Sequence, residues 1–231
     1  MSVLVIGAGG LGAPAALVLA RSGVPLTIVD DDLVDESNLH RQLLFEAHDV
    51  GRSKIECAVE RLAREGARAR GVEGRFTPES ALELVRAHAL VVEGADNFAT
   101  KFLALDACKL AGVPLVSAGA VRLSGWALAS HPSEGACLRC VFEDVPQGRI
   151  ETCAEAGVLG PVVGVLGAIQ AALALRLLAG EARAAGVLWS YRALEGRLRR
   201  SRARRRAGCP ACAGEIRDLR AERYAPALCE T

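Results

Sequence analysis

Apolar residues in the first 120 positions come as short runs: VLVI at 3 to 6, PLTIVD at 25 to 30, ALVVE at 89 to 93 and VPLVSAG at 113 to 119. Such runs, rich in branched aliphatic residues and bounded by glycine or polar clusters, predict buried strands. Between them the period lengthens. Ile55, Val59 and Leu62 fall on one helical face within 51 to 65, and Phe98, Phe102 and Leu105 do so within 97 to 111. Buried strands alternating with helices predict an α/β fold: a doubly wound, Rossmann-like, mostly parallel sheet. Cys57 and Cys108 belong to the helical segments and read as core thiols.

After residue 120 the pattern changes. VRLSGWALAS (121 to 130) is strand-like and is followed by CLRC, a polar loop and the uncharged run GVLGPVVGVLGAIQAALAL (157 to 175). Then come VLWSYRAL (187 to 194), an arginine-rich stretch, CPAC and a charged tail. We read 121 to 231 as an appended antiparallel segment that decorates a nucleotide-binding half, residues 1 to 120, within one continuous domain. The uncharged run has the length of a membrane span. Pro161, four glycines and Gln170 interrupt it, so it predicts a helix buried against the sheet, and no membrane is expected as a partner.

Composition narrows the class. With 231 residues, half of them hydrophobic, and a net charge of +1, the chain can bury a sizeable core, which excludes disorder and gives no global attraction to a polyanion. The one local exception is RLRRSRARRR (197 to 206), with seven arginines. No aromatic residue is interleaved, so a solvated strand or an acidic protein partner is the better reading, and nucleic acid is not expected. No secretory signal precedes VLVI, and a cytoplasmic protein is expected.

Chemistry enters at GAGGLG, residues 7 to 12. Gly7, Gly9 and Gly12 satisfy G-x-G-x-x-G between a strand and a helix, where glycines let backbone N–H groups and the helix N-terminus approach phosphate. Asp30, ending the next strand, stands where a ribose hydroxyl is gripped. This much suits NAD or FAD as well as ATP, so a dinucleotide oxidoreductase stays open at this point. The stretch VDDDLVDESNLHRQ (29 to 42) separates them. It adds Asn38, Arg41 and Gln42, an anion-seeking set, and with Lys54 it supplies cations that nucleotidyl transfer needs and a hydride site does not. Asp96, in GADNF at the end of a parallel strand, can hold Mg²⁺. Asp31, Asp35 and Glu36 read as a solvated turn.

Eight cysteines without a leader point to metal or reactive thiols. Cys137 and Cys140, with Cys209 and Cys212, form two CxxC pairs that can give Zn²⁺ four thiolates. Their wide separation predicts a clip that draws the distal segment onto the body, with His131 outside it.

Together GAGGLG, DDDLVDESNLHRQ, VGRSK, GADN, CLRC, TCAEAGVLGPVVGVLG and CPAC resemble the adenylyltransferases that activate ubiquitin-like sulfur carriers in molybdopterin and thiamin biosynthesis, bacterial relatives of ubiquitin-activating enzymes. The resemblance runs from about residue 3 to 213. It implies an adenylyltransferase that uses ATP and Mg²⁺, with structural Zn²⁺. Its partner would be a small carrier protein ending in Gly-Gly. A non-catalytic module that only binds such a partner is the alternative. Gly10 would contact the nucleotide and Asp30 its ribose, with a further acid at Asp32. Ser37, Asn38, Leu39, His40 and Arg41 would line the phosphates beside Lys54. Asp96 would hold magnesium, with Asn97 next to the nucleotide. Cys153, in the polar loop, is the candidate for a thioester or persulfide with the carrier, and Cys229 has no reading. The family's homodimer is expected too; its helical arm, whose arginine reaches the other subunit's nucleotide, is not seen before Val3, so an internal arginine or another protein would substitute, or the start was trimmed.

Overall fold

The computed structural model describes residues 1–146 and 156–224, so Cys153 and Cys229 lie outside the described residues. Eight strands form one sheet: β1 (Val3–Ile6), β2 (Leu26–Asp30), β3 (Ala69–Glu73), β4 (Leu90–Glu93), β5 (Leu115–Val121), β6 (Ser124–Ser130), β7 (Val187–Arg192) and β8 (Arg197–Arg202). Their order is β3-β2-β1-β4-β5-β6-β7-β8. The pairs from β3 to β5 are parallel, and those from β5 to β8 are antiparallel. This is the predicted doubly wound sheet with its antiparallel extension, and β5 runs through residue 120 without a break.

The central strands are buried on both faces because helices cover both. Val3 and Val5 of β1 join the core under α1 (Gly12–Arg21), α2 (Lys54–Arg64) and α6 (Gly160–Leu178). Leu4 and Ile6 join the opposite core, under α3 (Pro78–Arg86), α4 (Phe98–Ala111) and α5 (Leu138–Phe142). The two-residue period of a strand thus feeds both layers.

The sequence reading omitted β3 and α3. β3 is ARGVE, partly or fully exposed at every position on a free edge of the sheet, so it carries no apolar run. The uncharged run resolves as expected. α6 packs on α1, β4, β5 and β6, and Gln170 within it is fully buried, its Nε2 donating to the Glu93 carbonyl at 2.7 Å. A Cβ at Gly167 would stand 2.7 Å from the Leu11 carbonyl oxygen and 2.5 Å from Pro14, so only glycine lets α6 cross α1 this closely.

Candidate functional site

The order 3-2-1-4-5 reverses direction between β1 and β4, and ligands of such sheets bind in the crevice where the loops after those strands diverge. After β1, Gly7 takes φ +86°, and a Cβ on Gly12 would lie 1.8 Å from the Gly7 carbonyl oxygen. The turn therefore requires both glycines. Gly10 faces Val163 of α6 and the stem of Arg41, and Gly9 opens toward Gln42. Leu11 provides no side-chain cap for α1, whose first turn has no acid. The helix N-terminus is left with donors and a partial positive charge for an anion.

Asp30, at the end of β2, accepts the Ala8 N–H at 2.6 Å and the Asp32 N–H at 2.9 Å, which ties the glycine loop to the second strand. Burial pushes its carboxyl above the ordinary range, and the Lys54 charge opposes that. Each carboxylate oxygen keeps acceptor capacity for a ribose hydroxyl.

Beyond β4 lies GADN. Asp96 is exposed and has no hydrogen-bond or ion-pair partner among the described residues. Asn97 caps α4, its Oδ1 accepting the Thr100 N–H at 2.8 Å. Under this loop sits a pair that the sequence reading missed. Lys101 Nζ donates to both Glu93 oxygens at 3.1 and 3.2 Å and to the carbonyls of Ala95 and Ala118 at 2.6 Å each. Glu93 also accepts the Ala95 N–H at 2.7 Å. Burial pushes the Glu93 carboxyl up, and the ammonium of Lys101 counters it. The pair holds the backbone that presents Asp96. An acid ending the otherwise apolar run VVE was its one sequence signal.

The stretch from 31 to 42 forms the opposite wall. Asp35 caps the short turn Glu36–Asn38, accepting the Ser37 N–H at 2.8 Å, and the Ser37 bonds hold its carboxyl below the ordinary range. The Arg41 guanidinium donates to Asn38 Oδ1 and, at 3.2 Å, to the Ser37 carbonyl. Lys54 is buried, its Nζ 2.7 Å from Asp32. Gln42 is buried, with an Oε1 that lacks a partner among the described residues. Asp31, Asp35 and Glu36 are exposed, in keeping with the solvated-turn reading, and Asp31 pairs at the surface with exposed Arg75 at 2.7 Å.

These walls enclose a groove of about 1660 Å³ lined by Gly7, Gly9, Gly10, Asp30, Asp32, Asn38, Arg41, Gln42, Lys54, Asp96 and Asn97. It continues past Lys101 over Gly119, Trp126, Leu188 and Arg192 of β5, β6 and β7. Ser37 and His40 line an adjoining cleft of about 570 Å³ that shares Asp32, Asn38, Arg41 and Lys54. Leu39 lines neither and packs against the core. Gly12 serves the turn rather than the lining.

The four CxxC cysteines, far apart in sequence, meet in space. Their sulfurs are 3.7 Å apart for Cys137–Cys140 and Cys137–Cys209, 3.6 Å for Cys140–Cys212 and 3.5 Å for Cys137–Cys212. Tetrahedral Zn²⁺ with Zn–S bonds of ~2.3 Å sets its sulfurs ~3.8 Å apart, whereas a disulfide needs ~2.0 Å. The geometry fits the metal. Burial, and the charges of Cys212, Cys209 and Cys140, push the Cys137 thiol up. Four thiolates this close need a cation to ionise together. His131 engages Ser133 instead and stays outside the cluster. Between the ligands, Arg139 is fully buried and donates to both Asp106 oxygens at 2.9 and 2.8 Å, and the Tyr224 hydroxyl donates to Asp106 at 3.0 Å. The clip is thereby bolted to α4. Cys57 and Cys108 are buried, the former pushed up to about 11 mainly by burial, which suits inert core thiols.

The profile of the ThiF family matches residues 1–211. A sulfur carrier protein adenylyltransferase of Thermus thermophilus is 42% identical over 224 residues, 93% of this chain and 83% of that protein. The adenylyltransferase and sulfurtransferase MOCS3 of Sus scrofa is 44% identical over 217 residues, and the chain spans about half of its length, 48%. Among solved structures, Escherichia coli MccB with ATP superposes with a TM-score of 0.77 at 21% identity, covering 91% of this chain and 65% of that one.

Proposed function

This chain belongs to the ThiF family, and from that premise we propose that it adenylates the C-terminal glycine of a small ubiquitin-like sulfur carrier ending in Gly-Gly, consuming ATP and releasing pyrophosphate, for sulfur transfer in thiamin or molybdopterin-type biosynthesis. The observation that carries this reading is the convergence, in one groove, of a helix N-terminus without a side-chain cap, two cations and a carboxylate without a partner among the described residues, from three different strand ends.

The glycine loop and the start of α1 hold phosphate, Asp30 holds the ribose, and Arg41 and Lys54 face the same space. The carrier's terminal carboxylate attacks the α-phosphorus, a P–O bond to the β-phosphate breaks, and pyrophosphate leaves. No side-chain base is required, because that carboxylate is already ionised at neutral pH. Asp96 is the residue to hold Mg²⁺, which offsets charge on the departing oxygens when bound. The present partners of these cations do not contradict this: Lys54 is paired with Asp32 and Arg41 donates to the neutral Asn38 amide oxygen, and phosphate oxygens would replace those acceptors with charge-assisted bonds. The test is carrier-dependent exchange of labelled pyrophosphate into ATP. A chain that fails to exchange with every Gly-Gly carrier of its own genome is not this enzyme.

We assign the covalent step, if the enzyme takes one, to Cys153. Cys153→Ala is expected to keep pyrophosphate exchange near normal while abolishing any thioester or persulfide adduct with the carrier, read by mass spectrometry under non-reducing conditions. Loss of exchange in a folded Cys153→Ala protein would show that activation and transfer are not separate.

The working form is a homodimer in this reading. The outward side of α6 presents Pro161, Val165, Ala168 and Ala172, an uncharged strip that ends at exposed Arg176, on a helix otherwise sunk in the core. A second copy is the occupant that the family implies. Sedimentation is expected at twice the 24.2 kDa chain mass, and Ala172→Glu is expected to return it to one chain. A monomeric unmutated protein would refute this.

A further inference from the structure

Seven arginines and no acid occupy residues 197 to 206, and nothing in adenylation uses them. β8 presents four of them, Arg197, Arg199, Arg200 and Arg202, along a free edge of the sheet, and Arg204, Arg205 and Arg206 follow it. Edge strands are commonly charged to deter pairing, but that purpose does not require one sign only.

Strand register sorts the arginines by face. Trp126 lies opposite Ser190, which lies opposite Arg199. Ser124 lies opposite Arg192, which lies opposite Arg197. Arg192, Arg197 and Arg199 therefore share the face of Trp126 and Leu188, the floor of the groove, whereas Arg200 shares the face of Trp189 and Arg202 that of Val187, on the α6 side. On the groove face one acid serves this set: Glu195 pairs with Arg192 at 2.9 Å and with Arg197 at 3.7 Å. Arg199 has no ion-pair or hydrogen-bond partner among the described residues. All three arginines are exposed.

Distance then links this patch to the reacting end. Four strand spacings separate β4, which presents Asp96, from β8, about 19 Å in all. Six extended residues reach about 20 Å. A carrier whose terminal glycine lies at Asp96, with its tail along the groove, has its folded body over β7 and β8.

We propose that Arg192, Arg197 and Arg199 dock an acidic face of the carrier's folded body, and that this charge match selects acidic carriers. The inference rests on the adenylation reading and adds the surface that discriminates among its substrates.

The test is the charge-reversed double variant Arg197→Glu/Arg199→Glu, assayed for pyrophosphate exchange with a Gly-Gly carrier that supports exchange by the unmutated chain. The KM for carrier is expected to rise about tenfold or more at low salt, with kcat, the KM for ATP and thermal unfolding unchanged. The difference is expected to shrink at high salt. A carrier with acids of its body changed to lysine is expected to recover affinity for the variant. An unchanged KM for carrier overturns the dock while leaving adenylation standing, and so does loss of duplex DNA binding by the variant with the carrier KM unmoved. Absence of exchange by the unmutated chain with any carrier overturns the function and the dock together.

Discussion

Asp96→Ala is expected to abolish carrier-dependent pyrophosphate exchange, by a factor of about a hundred or more, in a protein whose fold is intact. The size follows from its position. Asp96 is the exposed carboxylate at the switch point of the sheet, without a partner among the described residues, so its charge is available to a metal on the triphosphate. Losing one preorganised group that stabilises developing phosphate charge costs about two to three orders of magnitude. The same lack of partners predicts little structural cost, within about 0.5 kcal/mol, because no buried bond is broken. Thermal unfolding alongside the exchange assay checks both halves. Normal exchange in Asp96→Ala would remove it from the metal site, whatever the rest of the groove does.

Removing a clip ligand is expected to act on the other axis. Cys209→Ser should lower Tm by about 10 °C or more, since loss of a structural metal is among the few single changes worth about 4 kcal/mol, and a chain of this size loses about 2–4 °C per kcal/mol. Metal analysis of the unmutated protein, purified without chelator, is expected to find about one zinc per chain. Cys209 is buried within sulfur-contact distance of Cys137, and Cys137 is the N-cap of the short helix α5, which carries Cys140 and Arg139, the latter locked on Asp106 of α4. Opening the cluster frees one anchor of the distal segment and loosens another. Exchange by the fraction that stays folded should change far less than Tm, because no cysteine of the cluster lines the nucleotide groove. A metal-free protein with an unchanged Tm in Cys209→Ser would overturn the clip.

Legibility differed from element to element for identifiable reasons. β1, β2 and β4 could be read as strands because both of their faces are buried, which forces a continuous apolar run. β3 could not, because an edge strand with exposed charges looks like a loop. The strand-like reading of 121 to 130 was offset from the hairpin: β5 extends to Val121, and β6 starts at Ser124. The charge-free run could be assigned to the core because glycines interrupt it, and two of them have a packing purpose, Gly160 against the His40 carbonyl and Gly167 against Pro14.

What the amino-acid sequence determined by itself was whatever depends on short-range chemistry. The glycine loop is local because its turn and phosphate approach are set by backbone conformation within six residues. The two CxxC pairs were legible locally as well, since each can chelate in its own right, and so was the presence of Asp30, Arg41 and Asp96 at strand ends and loops and of Lys54 at the start of α2. The tertiary structure alone decided how charges are neutralised and what they hold. Lys101 is buried only because Glu93, Ala95 and Ala118 converge on it; Arg139 only because Asp106 meets it; Lys54 only because Asp32 lies beside it; and Arg192 of β7 with Arg197 and Arg199 of β8 face the groove only because strand register places them there. A charge costs several kcal/mol to desolvate unless its partners are in place, and those partners come from distant parts of the chain, so no window of sequence carries the information that the folded chain does.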